Sequence, residues 1–407
     1  MAIKKSSETG GETPVILSPQ PTGRRIITFQ DGVGRTDMVK LVRSATAHEP
    51  VTAASAGSLF EALQSSGMTD APLILERFGL AVVGGGLESA SNAASMLART
   101  DEVVDTRPEF WLFASGRPPW GDDRDATWGL HAIDAVGSGK TGNGIKLAIL
   151  DTGLDLGHPD FIDRPVVARS FVPNETVEDV AGHGTHCAGT ATSAAKGGGN
   201  MPRYGVARQC LLHVGKVLNN RGAGRELDII AGIEWAITQG CEVISMSLGR
   251  QVMPTEPPDP IYERVGNAAL EAGCLILCAS GNESDRRFNY VAPVGSPANS
   301  TAMMAVAAIG SDGGIANFSC GGTGTGQVDI CAPGVEILSS VPRPELYKKM
   351  RGTSMACPHA AGIAALWAQS DASLRGRKLW KKLADTAVPV GGLPERDVGA
   401  GLVQAPG

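Results

Sequence analysis

The sequence predicts an α/β protein, a mostly parallel sheet flanked by helices, preceded by a small α+β domain. Five short apolar runs carry the first part: Ile145–Leu150, Leu211–Lys216, Val243–Ser247, Leu275–Ala279 and Met304–Ala308. Each has the near-continuous hydrophobicity of a strand covered on both faces. Helical segments such as Glu226–Thr238 and Ile261–Glu271 lie between them, and that alternation indicates parallel pairing. The second part rests on a different element order in the first quarter of the chain.

Residues 1–23 are polar and read as a disordered leader. Arg25–Gln30 then reads as a strand ending at the turn Asp31-Gly32. Asp37–Ala47 follows as a helix with Met38, Val39, Leu41, Val42 and Ala45 as its apolar residues. Within 48–71 only a short helix around Leu59–Leu63 stands out. Leu73–Phe78 and Leu80–Val83 read as a strand pair, Leu87–Ala98 as a helix, and Glu102–Asp105 leads into a last extended run ending near Phe113. The order β-α-β-β-α-β is the ferredoxin-like arrangement, which places a domain at 24–113. Residues 114–125, with Pro118-Pro119 and four charges over Asp122–Asp125, read as a linker, and 126–407 as the larger domain.

The 407 residues carry a net charge of -6, with 42% hydrophobic and 19% charged residues. That balance suits a soluble chain able to bury a large core. It lacks the basic footprint of a nucleic-acid protein, so no nucleic-acid partner is expected. No run approaches the roughly 20 apolar residues of a membrane helix, so no membrane partner is expected either. Lys4 and Lys5 have no apolar stretch behind them, unlike a secretory signal, so a cytoplasmic location is expected, with non-classical export left open. None of the 8 cysteines falls in a Cys-x-x-Cys pair, and free thiols are expected in a reducing compartment.

Three motifs carry chemistry. Asp151-Thr152-Gly153 follows the run Ile145–Leu150, which puts Asp151 at a strand's carboxyl end, where open α/β sheets gather their sites. Taken alone it is a turn cap. His183-Gly184-Thr185-His186-Cys187-Ala188-Gly189 places two histidines three apart, but lacks the glutamate of a zinc helix, and no metal is assigned to it. Gly352-Thr353-Ser354-Met355-Ala356-Cys357-Pro358-His359 precedes the apolar stretch Ala360–Ala368. Ser354 therefore starts a helix, where a serine is often only a cap.

Together, in the order Asp, His, Ser, the three motifs resemble those of subtilisin-like serine peptidases. Trp128-Gly129-Leu130 also resembles the start of mature proteinase-K-type domains, and the resemblance spans about residues 126–405. It implies a serine endopeptidase with Asp151, His183 and Ser354 as its triad. Asn282, in Ala279-Ser280-Gly281-Asn282, matches the oxyanion asparagine. The substrate-pairing segments match Gly222-Ala223-Gly224 and Ser247-Leu248-Gly249. Ala279, Ser280 and Gly281 match the pocket for the residue before the cut, with Gly295 at its floor. Glu283 falls at that pocket's rim and Glu226 at an outer pocket, both otherwise ordinary solvated charges.

The resemblance further implies a self-processing zymogen, with 24–113 as folding assistant and intramolecular inhibitor. The cut is placed at Phe113-Ala114. The partner implied is a polypeptide substrate, and no cofactor is required. Many relatives bind calcium after the histidine helix, but Ser193–Gly205 offers Asn200 and few other side-chain oxygens, against the six to eight that calcium takes. Asp160 matches one calcium ligand and cannot make a site alone. That loop site is not expected, and calcium elsewhere is left open.

Cys187 and Cys357 are expected to pack, and sensitivity to mercurials or oxidation through either thiol is left open. Gly137-Ser138-Gly139-Lys140-Thr141 has Asp134 where a phosphate-binding loop needs its first glycine, and reads as a surface turn. Two other functions stand beside the leading one: a narrow maturation protease for one dedicated partner, and a non-cleaving scaffold that uses the groove for binding.

Overall fold

The computed structural model describes residues 21–52, 71–84, 87–110, 120–194 and 201–407. They divide into two compact units, one within Leu17–Gly116 and one within Arg117–Gly407. Phe113, Ala114, Asn200 and the expected helix at Leu59–Leu63 lie outside the described residues.

In the first unit β1 (Pro21–Phe29) is followed by a helix at Arg35–Thr46, β2 (Val51–Thr52), β3 (Leu73–Leu75), β4 (Leu80–Val83), a helix at Leu87–Leu97 and β5 (Val103–Phe110). The sheet order is β2-β3-β4-β1-β5, with β5 at an edge. β1 pairs antiparallel with β4 and β5, and β3 antiparallel with β4. Ile27, Phe29, Ile74, Ala81 and Val83 form one buried cluster with Met38, Val42, Ala94 and Leu97 of the two helices. The strand read at Leu73–Phe78 stops at Leu75. Glu76–Phe78 make a 3₁₀ turn closed by Gly79 at φ 60°, which reverses the chain tightly enough for β4 to pair back on β3. The two residues of β2 pair parallel with β3 and are too few to leave a sequence pattern.

The second unit holds a seven-stranded sheet: β6 (Lys146–Asp151), β7 (Val166–Ser170), β8 (Leu211–Lys216), β9 (Val243–Met246), β10 (Leu275–Ala279), β11 (Met304–Ile309) and β12 (Ile330–Pro333). All six pairings are parallel. The order β12-β11-β10-β9-β6-β8-β7 reverses direction at β6, and in such sheets ligands settle at the carboxyl ends beside the reversal. Asp151 ends β6 there. A hairpin of β13 (Ile337–Ser340) and β14 (Tyr347–Met350) lies apart from the main sheet.

The helix Thr353–Ser370 packs on β9 to β12 and on the helix His183–Thr192. Alanines and glycine (Ala356, Ala360, Ala361, Gly362, Ala364, Ala365) make it small and apolar all round, the pattern of a helix buried on every side. Residues 120–125, read as the end of a linker, are instead part of this unit. Trp120 is buried in its core and stacks on Trp128, and Asp122 and Asp123 cap the backbone of Trp128, Asp125 and Ala126. The glycine-rich stretch at Gly137–Thr141 is held by Ser138 to Pro406 and by Gln369, which accepts the N–H groups of Thr141 and Gly142.

Candidate active site

β6 delivers Asp151 fully buried, and the helix His183–Thr192 begins at His183. His183 Nδ1 lies 2.8 Å from Asp151 Oδ1. A carboxylate only accepts, so Nδ1 carries the hydrogen and Nε2 is left as the basic nitrogen. Asp151 Oδ1 also accepts the Thr152 N–H at 2.7 Å. Its Oδ2 is buried and has no hydrogen-bond partner among the described residues. Burial would push the His183 imidazole down, but the charge and hydrogen bond of Asp151 outweigh it and hold His183 well above its ordinary value.

Two motif glycines make this approach possible. A Cβ on Gly184 would stand 2.4 Å from the Gly153 carbonyl oxygen, and one on Gly153, at φ 112°, would stand 2.1 Å from that of Val177. A side chain at Gly184 would push the helix off the strand end, and one at Gly153 would push away the Val177–Asp179 loop that leads into it.

Ser354 is the second residue of its helix, so its N–H has no intrahelical carbonyl to reach. Pro358, four residues on, has no N–H to give the Ser354 carbonyl. That carbonyl is taken instead by the Ser247 hydroxyl at 2.8 Å and the Cys187 thiol at 3.4 Å. Cys187 is fully buried, its Sγ 3.9 Å from His183 Nδ1, and burial raises its thiol. Asp151, His183 and Cys187 offer ligand atoms within 4.8 Å of one another, close enough for a soft cation. His186 is stitched to the carbonyls of Ile337 and Lys348, and burial and then His183 lower it to about 3.

Asn282 follows β10. Its Oδ1 accepts the Thr353 N–H at 2.8 Å and hydroxyl at 3.0 Å, which leaves the carboxamide NH₂ as its donor. Glu283, expected to be a free surface charge, folds back. Its Oε2 accepts the Asn282 N–H at 2.8 Å and the Cys320 thiol at 3.1 Å.

These residues line a groove of about 910 Å³ together with His183 and Ser354. Gly222, Ala223 and Gly224 contribute, as do Ser247, Leu248 and Gly249. Ala279, Gly281, Gly295 and Glu226 complete the sequence-derived set. A Cβ on Gly295 would stand 2.6 Å from the Arg250 carbonyl oxygen, so the floor there is backbone. Ser280 is the exception. Its side chain is fully buried away from the groove lining, and only its backbone serves, through its carbonyl to the Gly295 N–H at 3.0 Å.

Sequence reasoning missed the scaffolding: Thr353 behind Asn282, Lys216 under the Asp151 turn (its ammonium 2.6 Å from the Thr152 carbonyl) and Asp179. Only Asp179 left a signal, as an acid four residues before the histidine. The Asp160 calcium position does not fit a cation. Its carboxylate is taken by the hydroxyls of Tyr204, Tyr347 and Ser193.

A parallel sheet with an aspartate at its switch point, a histidine bonded to it and a helix-start serine in the same groove define a serine hydrolase. The chain belongs to the subtilase family, whose model matches residues 142–401. It is 38% identical over 288 residues to Subtilisin Savinase of Lederbergia lenta, covering 70% of this chain and 97% of that one. To the M-protease of Shouchella clausii the identity is 38%, covering 70% and 68%. Among solved structures, Sphericase matches with a TM-score of 0.59 at 29% identity, over 70% of this chain and 100% of that one. The chain is a serine endopeptidase, a hydrolase of polypeptides. No described helix is long and apolar enough to cross a membrane.

Proposed function

We propose that Asp151, His183 and Ser354 act as one catalytic triad and that the chain is made as a self-processing zymogen. The observation that carries the triad is the 2.8 Å bond from His183 Nδ1 to a fully buried Asp151, in a groove that Ser354 also lines. His183 Nε2 takes the Ser354 hydroxyl proton as Oγ attacks the substrate carbonyl, then gives it to the departing amine. Asp151 keeps the imidazole in the required tautomer and stabilises the cation. Because Asp151 Oδ2 has no donor of its own among the described residues, its charge is directed mainly to His183.

The oxyanion is held by the Asn282 NH₂ and the Ser354 N–H. The resulting acyl-enzyme is hydrolysed by water along the same proton route. Extended substrate pairs with Gly222–Gly224 and Ser247–Gly249, and its side chain before the cut enters the pocket over Gly295. Nothing in this scheme passes through a metal or an organic cofactor.

The zymogen reading is supported by a separate folded unit ahead of the catalytic one, whose β5 lies at a sheet edge. An edge strand is open to β-augmentation. The bond Phe113-Ala114, after the end of β5 in sequence, is the proposed cleavage site, and residues 24–113 the proposed inhibitor. A cytoplasmic site of action accords with eight buried free cysteines.

Ser354→Ala tests both parts. The expected result is a folded protein without peptide hydrolysis that stays full length, while the parent acquires a new N-terminus within residues 106–126. Undiminished turnover in the pure variant rejects the triad. A fully active parent still beginning at Met1 or Ala2 rejects the processing.

A further inference from the structure

We propose that Asp179 is the positioning residue that sets the approach of Asp151 to His183, an inference that rests on the triad assignment above. Asp179 is 5% exposed and does not line the groove, so it acts through its neighbours. Its carboxylate receives four hydrogen bonds. Oδ1 accepts the Thr152 hydroxyl and the Gly182 N–H, both at 2.8 Å. Oδ2 accepts the Thr185 N–H at 2.8 Å and hydroxyl at 2.7 Å.

The partners are what matter. Thr152 follows Asp151, Gly182 precedes His183, and Thr185 lies two residues after it. One carboxylate thus ties the strand end to the helix start on both sides of the Asp151–His183 bond. The same hydroxyls carry the tie further. Thr152 Oγ1 accepts the Gly184 N–H at 2.8 Å, and Thr185 Oγ1 accepts the Asp155 N–H at 3.1 Å.

Only an anion suits four converging donors. An asparagine would turn its NH₂ toward two of them and open the junction. A misplacement of about 1 Å at a catalytic group costs about 100-fold in rate, and the loss falls on kcat more than on KM because Asp179 itself does not line the groove, although its partner Thr152 does.

The test compares purified Asp179→Asn with the parent chain on a peptide substrate, with competent sites counted by active-site titration. The expected result is a kcat per titrated site lower by about 10- to 100-fold, with KM within about twofold. A folded Asp179→Asn whose kcat per site stays within twofold of the parent would overturn the inference. If that variant does not fold, Thr152 decides. Thr152→Val, without the bridging hydroxyl, loses kcat and Thr152→Ser restores it. Equal kcat in Thr152→Val and the parent overturns the inference as firmly. Ser354→Ala run alongside separates the two levels, since turnover there removes the triad itself.

Discussion

Pro358 frees the carbonyl of Ser354. The proline sits four residues along the helix, where any other residue would donate to that carbonyl, and Ser247 donates to it from the end of β9 at 2.8 Å instead. The backbone of Ser354 is thereby fastened to the sheet as well as to its own helix. Ser247→Ala should leave the carbonyl with the Cys187 thiol alone, a weak donor. The expected loss is about 1–3 kcal/mol of stability, read as a lower urea midpoint with an unchanged slope. An unaltered midpoint would show that the carbonyl finds another donor.

The pH profile follows from His183. Burial acts to lower it, but Asp151 holds it well above the ordinary 6.5, and the base works only when neutral. Activity should therefore fall as pH drops through a value above 6.5, seen as the acidic limb of kcat/KM. Asp151→Asn should move that limb down and cut kcat by about 10⁴. The same linkage has an opposite sign for stability. The ion pair's contribution is complete below the unfolded value and is lost as pH rises through the folded one. A limb at or below 6.5 in the parent contradicts this.

Asn282 is held by Thr353 so that its amide hydrogens stay available. Asn282→Ala should lower kcat by about 100- to 1000-fold with little change in KM, a magnitude known from subtilisin's own oxyanion asparagine. Steady-state kinetics on one peptide substrate decide it. A loss confined to KM would make Asn282 a substrate-binding residue only.

Arg286 and Asp397 form a buried ion pair at 2.8 Å, their side chains 14% and 4% exposed. Arg286 also donates to the Ser319 carbonyl, so the pair fastens the C-terminal segment to the loop after Asn282. Arg286→Ala leaves the Asp397 charge with Arg396 alone, 3.8 Å away, and should cost about 1–3 kcal/mol, measured by denaturant unfolding. A loss below about 1 kcal/mol would show Asp397 finding solvent or another donor.

What the sequence disclosed depends on how local each signal is. Strands β8 and β10 and the helix Glu226–Thr238 match their apolar runs to the residue, because strands buried on both faces leave continuous hydrophobicity. β7 escaped because it is an edge strand with Val167 and Arg169 exposed between half-buried Val166, Ala168 and Ser170. β12 escaped because Cys331 and Pro333 disguise it.

Asp151, His183, Ser354, Asn282 and the groove segments sit in contiguous motifs, and for that reason the Asp151–His183 pairing and the groove lining were legible. Asp179, Lys216 and the Glu283–Asn282–Cys320 contact were not, since their meaning comes from partners up to 64 residues away. Ser280 sits inside a legible motif, yet its outward or inward aim is set by packing under β11, where its N–H meets Val306. Trp120 looked like linker because the charges that follow it are spent on local capping, which composition alone does not reveal.

The most direct test is where an activated fluorophosphonate attaches. It phosphonylates only a serine made nucleophilic by a neighbouring base. The account predicts one adduct per active chain, mapped by peptide mass spectrometry to Ser354 and absent from His183→Ala. An adduct on another residue, or full turnover in a protein that takes up no label, would contradict it.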